Sequence, residues 1–298
     1  MRLPFLLEPS AKDYLWGGTR LNDDFGKGID LIPLAETWEC STHPLAITHG
    51  IPKLPIIIKL IDAKTDLSVQ VHPADEYALK HEGSLGKTEM WYVLEARPGA
   101  KLVYGFHHDV TPEIVREALE SHSIASLLNH VPVHKDDLFY IEAGTVHAIG
   151  AGCLVAEIQE SSNITYRLYD YDRIDANGKP RPLHVEKALE AANLRSSAVP
   201  RQPMRVFRYR QGRASELLTR CKYFQVERML LNTEIHRSLV PYQTGPNSFH
   251  ALLCLDGCGS ISGEGFSMNF FKGDCFFVPA ESIPMKLHGK AQFLDISC

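Results

Sequence analysis

Apolar positions along the chain recur mostly in short runs closed by Gly, Pro and Asn, a pattern of strands rather than helices. Residues 54–61 form a continuous apolar run, suited to a strand buried on both faces. Residues 89–94 and 101–104 flank a Pro98-Gly99 turn and read as a hairpin, and residues 138–141 and 154–158 read as further strands. Strands this short and close-set predict a mainly β barrel or sandwich. Helical spacing is confined to a few places. Thr111 is an N-cap with Pro112 at the first helical position, followed by Ile114, Val115, Ala118 and Leu119, with a second piece over residues 126–129. Pro182 opens another stretch, with Val185, Ala188, Leu189 and Ala192 on one face. Residues 195–203 have the composition of a linker. Two units are therefore expected, residues 1–196 with a helical insertion around 109–131, and residues 197–298.

An internal echo supports two related units. Residues 137–143 resemble residues 274–280, a spacing of 137, with turn, strand and turn in the same order. His147 aligns with Pro284, which cannot bind a metal, so a metal site is expected in the first unit and none in the second. His250 falls roughly at the position of Glu89 but has no evident partners in the sequence.

The 298 residues carry a formal charge of −5, which provides no broad basic face for nucleic acid and no polybasic membrane patch. The N-terminal residues lack an apolar run of signal length, and no stretch is long enough to span a bilayer. Seven scattered cysteines without a C-x-x-C pattern read as reduced thiols, so a cytoplasmic protein is expected, monomer or homodimer.

Residues two apart in a strand share a face, and four such pairs are polar where a barrel interior is usually apolar. They are Gln70 with His72, Lys87 with Glu89, Glu157 with Gln159, and Thr165 with Arg167. His72, Glu89 and His147 could supply two imidazoles and a carboxylate, the ligand count of a catalytic zinc, with a further position for Gln70, water or substrate. Taken singly, each histidine could equally be a hydrogen-bonded core residue, and Glu89 could be a salt-bridge partner of Lys87 or Arg167. Together they would carry a heavy desolvation cost unless a site uses them. His107, His108, His122, His130 and His134 read as surface or capping groups, and residues 169–173 as either a ligand-facing edge or, the preferred reading, a solvated, salt-bridged strand end.

At these residues the chain resembles the type I mannose-6-phosphate isomerases, zinc-dependent enzymes of cupin fold, and specifically their short bacterial form. The resemblance is carried by residues 14–18, 67–73, 86–92, 143–148, 157–159 and 165–173, in order and register, and becomes loose in the C-terminal third. It implies two cupin-type jelly-roll barrels, the second degenerate and without metal. It implies one zinc per chain on His72, Glu89 and His147, with Gln70 as a fourth ligand. It makes Arg167 the catalytic arginine and places Lys59, Ser68, Lys87 and Glu157 in the pocket of the substrate, a small sugar phosphate, with Trp16 beside them; for the catalytic base Glu157 and Lys87 are favoured, and zinc-bound water is the other candidate. The activity implied is the reversible conversion of D-mannose 6-phosphate to D-fructose 6-phosphate through a cis-enediol. Two positions depart from the longer members: Gly86 stands where they carry His, and Asn163 where many relatives carry Asp. Two competing readings keep the same fold: a zinc cupin isomerase of another sugar phosphate, and a non-catalytic cupin that binds sugar phosphates.

Overall fold

A computed structural model describes residues 2–174, 178–198, 200–235 and 238–298. It is mainly β, with three large sheets and one two-stranded ribbon. Two of the large sheets form the walls of a first barrel. The six-stranded wall runs Leu138–Ile141, Glu89–Ala96, Cys153–Glu160, Ile56–Asp62, Glu36–Cys40 and Ser10–Lys12. The five-stranded wall runs Leu128–Pro132, Lys101–Phe106, His147–Ile149, Val69–Val71 and Tyr166–Tyr169.

The nine-stranded sheet contains the same path again. Its order is Cys275–Val278, His250–Gly263, Met285–Ser297, Gln225–Asn232, Arg213–Arg220 and Arg208–Arg210, strand for strand the order of the six-stranded wall. The echo of residues 137–143 in 274–280 falls on Leu138–Ile141 and Cys275–Val278, which hold the same place in the two sheets. Phe5–Leu6 crosses over and pairs with Cys275–Val278, so the N-terminal strand belongs to the second sheet.

Alternation along the strands decides what each face meets. In the run from Ile56, residues Ile58 and Leu60 face outward and join one large core with Met90, Tyr92, Ala156 and Ile158. That core also takes Val226, Ala251, Leu253, Phe277, Leu294 and Ile296 from the nine-stranded sheet, so the two sheets are packed face to face through it. The opposite face points into the first barrel, where Ile61, Trp91, Val93, Phe139, Ile141 and Val155 fill one end. The doubly buried strand expected from residues 54–61 is explained by these two cores. Along the rim of the shared core the Tyr92 hydroxyl accepts hydrogen bonds from Arg228 at 3.0 Å and Gln292 at 3.1 Å.

Two helices cover the outer face of the five-stranded wall. Pro112–Glu120 begins where Thr111 caps the Ile114 amide at 3.4 Å, and buries Val115 and Ala118 against Val103 and Phe106. Val185–Ala191 adds Ala188 and Leu189 to the same cluster.

Several sequence expectations are corrected. Residues 89–94 and 101–104 are not a hairpin, because their strands lie in opposite walls. The turn, with Gly99 at φ 82°, carries the chain round a corner, so that Trp91 and Leu102 meet across the barrel interior instead of side by side. Helical structure in the insertion ends at Leu127, and Leu128–Pro132 is an edge strand. The second helix starts at Val185, not at Pro182, because His184 is tied by backbone to Arg167. The expected linker is not among the corrections: within it Ser197 bonds the Phe106 carbonyl, and Gln202 bonds both backbone groups of Leu138.

All three tryptophans (Trp16, Trp38 and Trp91) lie in the first unit, so they report on the shared core from one side only. Leu253→Ala, a deletion on the other side, should cost about 2–5 kcal/mol. It should also lower the denaturation midpoint seen by tryptophan fluorescence. A wild-type fluorescence midpoint in this variant would show that the shared core does not couple the two units.

Candidate active site and metal centre

The polar end of the first barrel is built from two rows of side chains, one on each wall. On the five-stranded wall, Gln70 lies opposite His147 on one side and Arg167 on the other, which sets these three across neighbouring strands. Ser68 and His72 flank Gln70 at alternate positions and share its inward face. On the six-stranded wall, Glu157 lies opposite both Lys59 and Trp91, and Glu89 lies opposite Gln159. The apolar neighbours of the first row, Val69, Val71, Val146, Ala148, Tyr166 and Leu168, all point the other way, under the helices.

His72, Glu89 and His147 are buried, and one ligand atom from each lies within 4.8 Å of the others. His72 Nε2 is 3.5 Å from one Glu89 oxygen, and His147 Nε2 is 3.4 Å from the other. The far nitrogens are already committed: His72 Nδ1 bonds the Ile164 carbonyl at 2.9 Å and His147 Nδ1 the Thr145 carbonyl at 2.8 Å. Carbonyls accept only, so both Nδ1 atoms carry the proton and both Nε2 lone pairs face the cluster, as metal-ligating histidines require. Burial, and then the Lys87 charge, pushes His72 down to about 3, while burial lowers His147, so both rings are neutral. Burial pushes the Glu89 carboxyl up, but the Lys87 ammonium outweighs it and holds the group well below its usual range. Glu89 Oε1 is nevertheless buried without a hydrogen-bond partner. The Gln70 amide lies 3.4 Å from His147 Nε2, beside the same point. Two lone pairs and one ionised carboxylate, with an oxygen of that carboxylate left unpartnered, are aimed at one place and fit a divalent cation.

Above this cluster is a cavity of about 280 Å³ lined by Trp16, Lys59, Ser68, Gln70, Lys87, Glu157 and Arg167 among others. Lys87 Nζ contacts Glu89 at 2.5 Å and His72 at 2.9 Å, and lies 4.0 Å from Glu157. Glu157 accepts from Lys59 at 3.0 Å and from the Trp91 indole at 3.0 Å. Burial draws the Lys59 ammonium down, but Glu157 and Glu36 raise it by more, so it stays charged. Arg167 donates to the Pro182 carbonyl at 2.8 Å, while its Nε is buried without a partner. Burial and the nearby Arg181 charge hold the Arg167 pKa below its usual value, a cost that an anion in the cavity would offset.

Of the polar pairs singled out in the sequence, all but Gln159 reach either this cavity or the cluster at its floor, whereas the Gln159 amide donates to the Glu160 and Ser162 carbonyls. Two charged cavity residues were not foreseen. Glu36 is buried, accepts from Trp38 Nε1 at 2.8 Å, and has its carboxyl pushed up by burial, with Lys59 opposing. Its two-residue spacing from Trp38 in an apolar-faced strand was a usable signal. Arg181 is held at the mouth by Asp170, at 2.5 and 2.7 Å, from a segment without periodicity, and nothing in the sequence marked it. The same Asp170 binds Arg173, so the expected salt-bridged strand end fixes Arg181 in place. Gly86 has a steric reason: a Cβ there would come within 2.6–2.8 Å of backbone atoms of residues 73–75.

A family model described as the cupin domain of mannose-6-phosphate isomerase matches residues 214–297. The C-terminal third, which resembles the family only loosely by motif, is thus the part that the model recognises. A protein of Bacillus subtilis (strain 168) named as a probable mannose-6-phosphate isomerase, GmuF, is 35% identical, with 99% of each chain covered. The mannose-6-phosphate isomerase of Streptococcus mutans is 33% identical over 94% of this chain and 93% of its own. The crystal structure of the mannose 6-phosphate isomerase from Bacillus subtilis superposes with a TM-score of 0.88 at 32% identity, covering 99% of both chains.

Glu89→Gln should cut divalent-metal retention by at least about tenfold, judged by elemental analysis after dialysis, because a neutral amide replaces the only charged ligand of the cluster. Gly86→Ala should destabilise the fold by about 1–3 kcal/mol through overpacking, measured by chemical denaturation.

Proposed function

The chain belongs to the mannose-6-phosphate isomerase family, and from that premise we propose that it interconverts D-mannose 6-phosphate and D-fructose 6-phosphate with one zinc ion per chain. His72, Glu89 and His147 would hold the ion, with Gln70 as fourth ligand. The observation that carries this reading is the convergence of two histidine Nε2 atoms and the unpartnered Glu89 oxygen at the floor of a cationic cavity. When bound, zinc supplies Lewis-acid stabilisation of charge developing on the sugar oxygens.

The chain's own groups do the rest. Ring opening exposes the C1 aldehyde. Glu157 then takes the proton from C2, the C–H electron pair forms the C1–C2 double bond, and the carbonyl pair moves to O1, giving a cis-enediolate. Lys87, 4.0 Å from Glu157, serves as its proton-transfer partner. Transfer of the O2 proton to O1, with the O2 electron pair forming the C2 carbonyl, and return of the proton from Glu157 to C1, where the enediolate double-bond pair takes it up, complete the ketose. Arg167, always charged and with a free Nε inside the cavity, stabilises the enediolate oxygens. Lys59 and Ser68 anchor the phosphate, and Trp16 forms part of the wall. The reduced cysteines suit a cytoplasmic setting.

Formation of fructose 6-phosphate should disappear on chelation and return with zinc. Turnover indifferent to confirmed metal removal would refute the proposal. Arg167→Ala should lower kcat by about 10²–10³-fold at constant zinc content. Zinc lost in proportion to activity would instead make Arg167 a structural support of the metal site.

A further inference from the structure

The second barrel has a polar end of its own, at the place equivalent to the first. The matching strand order makes the correspondence residue by residue. Glu89 lies opposite Ile141 and Gln159, and His250 lies opposite Val278 and Ser297. Glu157 lies opposite Trp91 and Lys59, and Asp295 lies opposite Leu252 and Glu227. His250 thus replaces Glu89, Asp295 replaces Glu157, and Glu227 replaces Lys59. His250 is not without partners, as its sequence context suggested: its Nδ1 is 2.5 Å from Asp295, and the Tyr242 hydroxyl bonds Asp295 at 2.9 Å. The apolar remainder of this interior, including Met229, Leu252, Phe276 and Phe293, closes the other end.

These residues line a cavity of about 270 Å³, close in size to the first. Its charges are arranged in an unusual way. Glu227 and Asp295 are directly opposed on neighbouring strands, and Arg210 and Arg213 are directly opposed across their hairpin. Like charges in that position repel. Among the described residues no carboxylate lies within ion-pairing distance of either arginine, although both line a cavity that contains two carboxylates. Burial lowers His250, but Asp295 outweighs it and leaves the imidazole more basic than usual. A cationic pair at one side and a carboxylate pair with a tyrosine and a histidine at the other form two recognition surfaces. The first suits a phosphate, and the second suits vicinal hydroxyl groups, which donate to carboxylates.

We propose that the cavity of the C-terminal barrel is a second small-molecule site, which binds a phosphorylated sugar or polyol between Arg210 and Arg213 on one side and Glu227 and Asp295 on the other.

The test uses the full-length, zinc-loaded protein and D-sorbitol 6-phosphate, a hexitol phosphate that lacks a carbonyl and is not turned over. Equilibrium dialysis should show one molecule per chain lost from saturation in R210Q/R213Q, with affinity at that site weakened about tenfold or more. The same molecule should remain in Arg167→Ala, and kcat for the isomerisation should be unchanged in R210Q/R213Q. Equal saturation of wild type and R210Q/R213Q overturns the proposal. Displacement by inorganic phosphate at the same strength as by the hexitol phosphate also overturns it, since the hydroxyl side would then contribute nothing.

Discussion

Charge neutralisation inside the first barrel is the constraint on which the rest of the site depends. Three carboxylates (Glu36, Glu89 and Glu157) and two lysines (Lys59 and Lys87) are all buried there. Isolated, each would carry a desolvation cost of several kcal/mol. They are tolerable because Lys59 serves Glu157, Lys87 serves Glu89, and the Trp38 and Trp91 indoles donate to Glu36 and Glu157. The cluster remains short of positive charge by one unit, counting three carboxylates against two ammonium groups. A divalent cation at Glu89, together with Arg167, would turn the deficit into a surplus matched to a phosphate dianion.

This arrangement needs a rigid frame, and the six-stranded wall provides it through burial on both faces. Its outer face is half of the core shared with the nine-stranded sheet, so a movement of Ile58 or Ile158 would disturb both units. Its inner face carries Glu89, Glu157 and Lys59 at alternate positions. The second unit is therefore a structural support for the first whatever it binds. Its interior repeats the frame with other charges, and the opposed Lys59–Glu157 pair of the first barrel becomes the like-charged Glu227–Asp295 pair of the second.

Much of this was legible in the chain. Period-two alternation revealed the polar pairs at 70 and 72, 87 and 89, 157 and 159, and 165 and 167, because a strand exposes its face assignment directly in sequence. The Thr111-Pro112 cap marked its helix because capping is local. The misread strands have one physical origin. Whether two strands joined by a short turn pair with each other or pass to opposite walls depends on which other strands take their edges, and that is not a local property. The corner at Gly99 and the edge strand Leu128–Pro132 were both misread for that reason.

Residue identity and alternation alone determined the strand-rich class, the duplicated order and the set of side chains facing one interior. Only the tertiary structure decided that those side chains meet. It brought His72, Glu89 and His147 within 4.8 Å, turned both Nε2 lone pairs to one point through the Ile164 and Thr145 carbonyls, and left Glu89 Oε1 unpartnered. It also brought in Glu36 and Arg181, and gave His250 its Asp295. The physical reason is that alternation assigns a face, whereas distances between strands far apart in the chain are set by how two walls close over a core.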